Sequence, residues 1–467
     1  MTSKTLADRD AHVSWHPYTQ HGVEDAPLPV TSAAGSVLTL ADGRELIDAI
    51  SSWWAILHGH GEPRIAEAMA TQARTLDHVL FAGATHEGAV RLAERLVEIT
   101  PPGLDRVFYS DNGSTAVEVA LKMVVQRWHK HGEDQRTVFV ALEGAYHGDT
   151  FGAMSIGDPD PFFVPFGALC FEARRARPEL DAVRAALEEL GPRAAGVIVE
   201  PLIQGAAGMR MHSAEFLVAL RALTAELGLP LIADEVMTGF GRTGALFACE
   251  RAGIEPDYLC LAKGLTGGMT PLSVTLASEA VFDEFVSSER KDAFFHGHTF
   301  TAHPIGCAAA LASLELTLER DTPAQLDRLG ARIEQRLGRL LEAPLAEGRV
   351  SDLRRTGGVV AFDIAANGLR GPATPVPKAG ASQARAAADQ TANPTNPDSS
   401  SAPPNANSGD TPSGYLSGIA PELRRRAIRE GVLLRPLGDV LYAMPPASTT
   451  DAQADRIADV MAAILDG

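Results

Sequence analysis

Residues 257–268 read DYLCLAKGLTGG, a lysine set between a short apolar run and a glycine-rich turn. The run has no polar alternation, so it reads as a strand buried on both faces, with Lys263 at its carboxyl end. In an open α/β sheet, ligands bind at the carboxyl ends of the strands. A lysine alone at such a place could simply carry its ammonium to solvent, so its neighbours decide. LPLIADE (229–235) repeats the pattern one unit earlier and ends on Asp234. RVFYS (106–110), TVFVALEG (137–144), AGVIVEP (195–201) and SVTLAS (273–278) have the same character. Between them lie stretches such as 114–128 and 214–228, whose apolar residues recur at the three- and four-residue spacing of a helix. The alternation predicts an α/β fold with a mostly parallel, helix-covered sheet.

The rest of the chain sets bounds. Of 467 residues, 45% are hydrophobic and 21% charged, a globular balance, and no apolar run approaches the roughly 20 residues that span a bilayer. The start MTSKTLADRDAHVSW has no secretory apolar region, and Asp8 and Asp10 argue against a transit peptide, so a cytoplasmic location away from membranes is expected. A formal charge of −18 disfavours nucleic acid and anionic membranes as partners, and an anionic substrate would need a local basic residue. Cys170, Cys249, Cys260 and Cys307 are scattered, which predicts reduced, packed thiols. The segment 366–414 is rich in Pro, Ala, Ser, Asn and Gly and predicts a disordered loop.

An aspartate and a lysine at two strand ends, able to face one cavity, are the pair a pyridoxal phosphate enzyme needs. The lysine forms the Schiff base, and the carboxylate keeps the pyridine nitrogen protonated. SDNGSTAVEVALK (110–122) opens a helix after RVFYS, and Gly113, Ser114 and Thr115 could offer donors to a phosphate at its N-terminus or serve only as a cap. Tyr146 in GAYHGDT follows another strand, where an aromatic ring can stack on a flat cofactor or fill a core edge. No P-loop and no G-x-G-x-x-G after a strand is present, so nucleotide binding by those routes is unsupported.

In order along the chain, GSTAVEVALK, YHGDT, EPLIQGAAGM, IADEVMTGFGRTG, LAKGLTGG and HGHTFTAHP resemble the motif series of the class III pyridoxal phosphate aminotransferases. The resemblance implies a fold-type I transferase. Its large cofactor domain would span 66–330, its small α+β domain would be built from 1–65 and 331–467, and two copies would share active sites in a homodimer. WHPYTQ (15–20), SSWWAILHG (51–59) and LLRPLGDVLYAMPP (433–446) are similar to the biotin-pathway branch of that family. This implies S-adenosylmethionine as amino donor and 8-amino-7-oxononanoate as acceptor, by a ping-pong reaction giving 7,8-diaminononanoate. Another donor, lysine or an ω-amino acid, and a non-catalytic cofactor-binding role are the alternatives.

By the same resemblance, Lys263 is the Schiff-base lysine and Asp234 the pyridinium partner. Gly113 and Ser114 hold the phosphate with Thr299 from the neighbouring subunit, beside His298. Tyr146 stacks on the cofactor and lines the substrate site. Tyr18 and Trp53 wall that site, Gly297 lies along it, and Arg435 pairs with a substrate carboxylate. Trp54, the other half of the SSWW pair, is left for packing. His298 stands where close relatives often carry proline. HGHTFTAH lacks the carboxylates and the H-E-x-x-H pattern of a metal site, so no metal is expected. Glu200 could approach the site or be structural, and Arg242 is expected as a buried ion-pair partner.

Overall fold

The uninterrupted apolar runs build the main sheet. In the computed structural model, which describes residues 5–158, 162–366, 368–370 and 418–466, its strands are β1 (Arg106–Ser110), β2 (Val138–Leu142), β3 (Ala173–Ala176), β4 (Ala194–Val199), β5 (Leu231–Asp234), β6 (Tyr258–Leu261) and β7 (Ser273–Ala277). Most of the loop expected at 366–414 lies outside the described residues. The spatial order is β1-β7-β6-β5-β4-β2-β3, and β2 through β6 are mutually parallel. β7 departs from the parallel reading and runs antiparallel to both β6 and β1. Its link to β6 holds only the short 3-10 turn Lys263–Thr266 and no crossover helix, and a parallel return needs such a crossover. β3, with sequence ARRA, lies at the sheet edge, where only its last residue is fully buried, so it carries no apolar run by which to find it.

β5 and β6 are neighbours, with Asp234 in register with Cys260, three residues before Lys263. Their ends and the helix Gly113–Lys130, entered directly after β1, therefore open on one side of the sheet. That helix begins with a capping box in which Asn112 accepts from Thr115 N.

The two ends of the chain meet. Val30–Ala34, Val37–Leu40 and Glu45–Asp48 form an antiparallel meander, and Val432–Leu433 adds to it in parallel. A second sheet joins Val350–Thr356, Val359–Ile364 and Val440–Ala443 under the helices Thr322–Leu340 and Asp451–Ala463. Those helices are laced by paired Arg–Asp contacts, Arg332 to Asp455 and Arg336 to Asp459, all within 2.6–2.7 Å. Phe362, Tyr442, Leu329 and Ile457 lie in this second core, and Trp54 and Met237 enter it from the side of the main sheet.

Phe362 is fully buried at the centre of that core. Phe362→Ala is expected to cost about 3–5 kcal/mol, read as a lowered midpoint in urea unfolding; a change below about 1 kcal/mol would contradict the packing described.

Candidate active site

A cavity of about 420 Å³ opens where β4, β5 and β6 end and the helix Gly113–Lys130 begins. Lys263, Asp234, Tyr146, Gly113 and Ser114 all line it. Burial lowers the Lys263 amine from its ordinary value, while Asp234 and Glu200 oppose that shift by attracting the ammonium. The amine also stands 5.1 Å from the centre of the Trp54 ring.

Asp234 is buried and doubly held: Oδ1 accepts from Val236 N at 3.0 Å and Oδ2 accepts from His147 Nδ1 at 2.7 Å. His147 is buried beside it and its Nε2 has no partner among the described residues. Glu200 does approach the site. Its carboxylate lines the cavity and accepts from Tyr146 N at 3.1 Å and Gly205 N at 3.0 Å, and burial pushes its carboxyl up to about 7. His147 and Asp149 were passed over in the sequence reading, although both belong to YHGDT. The available signal was their place directly after a buried strand, beside Tyr146.

Tyr18, Trp53 and Arg435 are not among the residues lining this cavity; they form an aromatic mouth joined to it through Tyr146. Tyr18 donates to Asp149 Oδ1 at 2.6 Å, Tyr146 donates to the same oxygen at 3.0 Å, and the two phenols are 3.2 Å apart. Trp53 meets Tyr18 edge-on with ring centres 5.7 Å apart, and the Arg435 guanidinium lies 4.3 Å over the Trp53 ring. Arg435 has no carboxylate partner among the described residues. Trp54 is 5% exposed and donates from Nε1 to Tyr442 OH at 2.9 Å, whereas Trp53 is 37% exposed. The pair sits in neither a strand nor a right-handed helix. Ser51, Ser52, Trp53 and Trp54 have φ of +51°, +43°, +72° and +75°, and the turn is closed by Trp54 N donating to Ile50 O.

Two expectations fare differently. Gly297, His298 and Thr299 do not line the cavity of their own chain; Gly297 and Thr299 are exposed, and His298 approaches Asp111 at the cavity wall to 3.8 Å. Arg242, expected to form a buried ion pair, has no carboxylate partner among the described residues. It donates instead to the carbonyls of Trp54, Ile56 and Pro445, because it fills the junction behind the tryptophan turn where only backbone oxygens are in reach. Burial lowers its guanidinium to about 10.

The residues fit pyridoxal phosphate. Asp234 offers a fixed carboxylate on the cavity wall, and Lys263 offers an amine with lowered proton affinity. The helix N-terminus leaves Gly113 and Ser114 N–H groups facing the cavity for a dianion. A Cβ on Gly113 would stand 2.6 Å from Val236 Cγ1, so glycine keeps that end of the cavity open.

Residues 18–465 match the family described as aminotransferase class III, and the chain belongs to that family of pyridoxal phosphate-dependent enzymes. It is 46% identical over 469 residues to the adenosylmethionine-8-amino-7-oxononanoate aminotransferase of Synechococcus elongatus, covering 97% of this chain and 98% of that protein. The enzyme of the same name from Geobacter sulfurreducens is 36% identical, with 98% and 96% covered. Among solved structures, the Methanocaldococcus jannaschii enzyme of that name superposes with a TM-score of 0.84 at 30% identity, with 98% of each chain covered. A PLP-bound amine transaminase from an uncultivated Pseudomonas species gives 0.81 at 28% identity, with 97% of this chain and 98% of that one covered. The fold is fold-type I.

Two outcomes follow from this geometry. Asp234→Asn is expected to lower kcat by about a hundredfold or more with little change in Tm; activity within a few-fold of wild type would contradict the role of its charge. Trp54→Ala is expected to cost about 3–5 kcal/mol in urea unfolding, and Trp53→Ala to leave stability nearly intact while lowering kcat/KM; the reverse pattern would overturn the division of the pair.

Proposed function

We propose that this enzyme transfers the amino group of S-adenosylmethionine to 8-amino-7-oxononanoate, giving 7,8-diaminononanoate in biotin biosynthesis. The reading is carried by the near-full-length likeness to relatives named for that pair of compounds. Arg435, which lies on the Trp53 ring and has no carboxylate partner among the described residues, supports it, because a guanidinium can take the carboxylate that an enzyme of net charge −18 would otherwise repel. Tyr18 and Trp53 give the apolar chain of the keto acid its wall. Asp149, fixed by two phenols, offers a counter-charge to an ammonium.

Pyridoxal phosphate, when bound, supplies the electron sink for charge developing at the donor α-carbon and carries the amino group between the two half-reactions. Asp234 would keep the pyridine nitrogen of the bound cofactor protonated, and its hydrogen bond from His147 holds the carboxylate in place. Lys263 would tether the cofactor through its amine and would move the proton at the donor α-carbon, and burial lowers that amine's proton affinity. Glu200 fixes the backbone of Tyr146, whose ring lines the cavity. The keto acid then enters the same site, and the same groups act in reverse.

The working unit in this reading is a cytoplasmic homodimer. Thr299, with Gly297 and His298 beside it, reaches the phosphate end of the partner's cavity, a role supported by the exposure of Thr299 and of the neighbouring Phe295 and Phe300. The large domain spans 66–330, and 1–65 with 331–467 make the small one, a division supported by the two main apolar cores, although Leu57 joins the first and Ile203, Met209, Met237 and Leu329 join the second.

The test is stepwise. S-adenosylmethionine added to the cofactor-loaded enzyme should shift its visible absorbance, and 8-amino-7-oxononanoate should restore it. A response to lysine alone would move the assignment to another donor. Arg435→Ala should raise KM for the keto acid by about tenfold or more, and an unchanged kcat/KM would remove Arg435 from the site.

A further inference from the structure

The most strained stretch of the described backbone lies under the mouth of the site. Ser51 to Trp54 are four consecutive non-glycine residues at positive φ, a conformation in which each Cβ crowds its own carbonyl. Such a turn persists only where its surroundings over-determine it, and strain of this kind gathers at functional sites. Here one buried side chain anchors the entry to the turn, while Arg242 and Tyr442 hold Trp54 at its exit. Asp48 is fully buried, and both its oxygens are used twice: Oδ1 accepts from Ile50 N at 3.2 Å and Ser52 N at 3.0 Å, and Oδ2 accepts from Ser52 Oγ at 2.8 Å and His60 Nε2 at 2.9 Å. Ser51 Oγ adds a bond to Met444 O at 2.7 Å from the opposite side.

Asp48 is also the last residue of its strand and stands in register with Leu433 in the parallel partner. Two residues beyond Leu433 comes Arg435, and five beyond Asp48 comes Trp53, and the guanidinium of the first lies on the ring of the second. One strand pair thus launches both halves of the Trp53–Arg435 contact, and Asp48 fixes how the Trp53 half leaves it.

We propose that Asp48 is a positioning residue for substrate carboxylate recognition: its carboxylate holds the left-handed Ser51–Trp54 turn and so sets the Trp53 ring under Arg435, which orients the guanidinium. Asp48 touches neither cofactor nor substrate and acts through Trp53. The inference rests on the reading of Arg435 as the carboxylate partner, but the turn itself can be read without turnover.

The experiment uses the cofactor-loaded enzyme with Trp15→Phe, which removes the most exposed tryptophan and leaves Trp53 as the quenchable one beside the buried Trp54 and Trp128. In that background Asp48→Asn should raise acrylamide quenching about twofold and raise KM for the keto acid about tenfold, with the absorbance of the bound cofactor unchanged. Adding Ser52→Gly, which has no Cβ to crowd a positive φ, should bring both readings back toward wild type. Quenching and KM both within about 1.5-fold of the parent for Asp48→Asn, or no recovery with Ser52→Gly, would overturn the proposal. If Asp48→Asn does not fold, Ser52→Ala, which removes a single bond to Asp48, carries the test: a smaller rise in both readings supports the proposal and an unchanged pair rejects it. A parent enzyme inactive toward the keto acid would count against the functional reading alone, since the quenching comparison still reports on the turn.

Discussion

Everything at this site depends on an acid and an amine being carried to the same edge of a sheet by neighbouring parallel strands. β5 ends on Asp234, β6 runs in register beside it and gives way to Lys263, and the walls around them exclude enough water to lower the lysine's proton affinity. A buried carboxylate is costly unless its lone pairs are used. Asp234 meets that demand with Val236 N and His147. The helix N-terminus at Gly113 completes the arrangement at the other end, with backbone donors in place of basic side chains.

The second constraint comes from the chain ends. The meander at residues 30–48 and the strand at 432–433 are far apart in sequence and paired in space, and their junction carries Trp53, Trp54 and Arg435 to the mouth. Four left-handed residues cost about 1–2 kcal/mol each. Hydrogen bonds to a buried charge contribute about 1.5–3 kcal/mol each, so the bonds to Asp48 are of the size needed to hold the turn. Arg242 braces the same turn from behind through carbonyls.

Much of this was legible in the sequence because strands buried on both faces leave continuous apolar runs. β2, β4, β5 and β6 are of that kind, and the polar residues that follow β5 and β6 most closely, Asp234 and Lys263, stand out at once; β1 shows an apolar run although Arg106 is exposed and Val107 and Phe108 are half-buried. β3 was missed because an edge strand need not be apolar. The direction of β7 was not readable from its composition, since a buried antiparallel strand and a buried parallel one look alike. SSWW raised the right question, why two tryptophans should be adjacent, but no periodicity anticipates a left-handed turn: its cause is Asp48, three residues upstream, and His60, beyond it. His147 sat inside a recognised motif, yet only its 2.7 Å contact with Asp234 gives it a part to play. Arg242 was assigned an acid because buried arginines usually have one; only the folded chain places three carbonyls around it.

The cavity holding Lys263 and Asp234 is proposed to move an amino group from S-adenosylmethionine to a keto acid. Mass spectrometry of the product formed from amino-15N-labelled S-adenosylmethionine and 8-amino-7-oxononanoate tests it most directly. The label is expected in 7,8-diaminononanoate with the wild-type enzyme, and none with Lys263→Ala. Unlabelled product, or labelled product that survives Lys263→Ala, would contradict it.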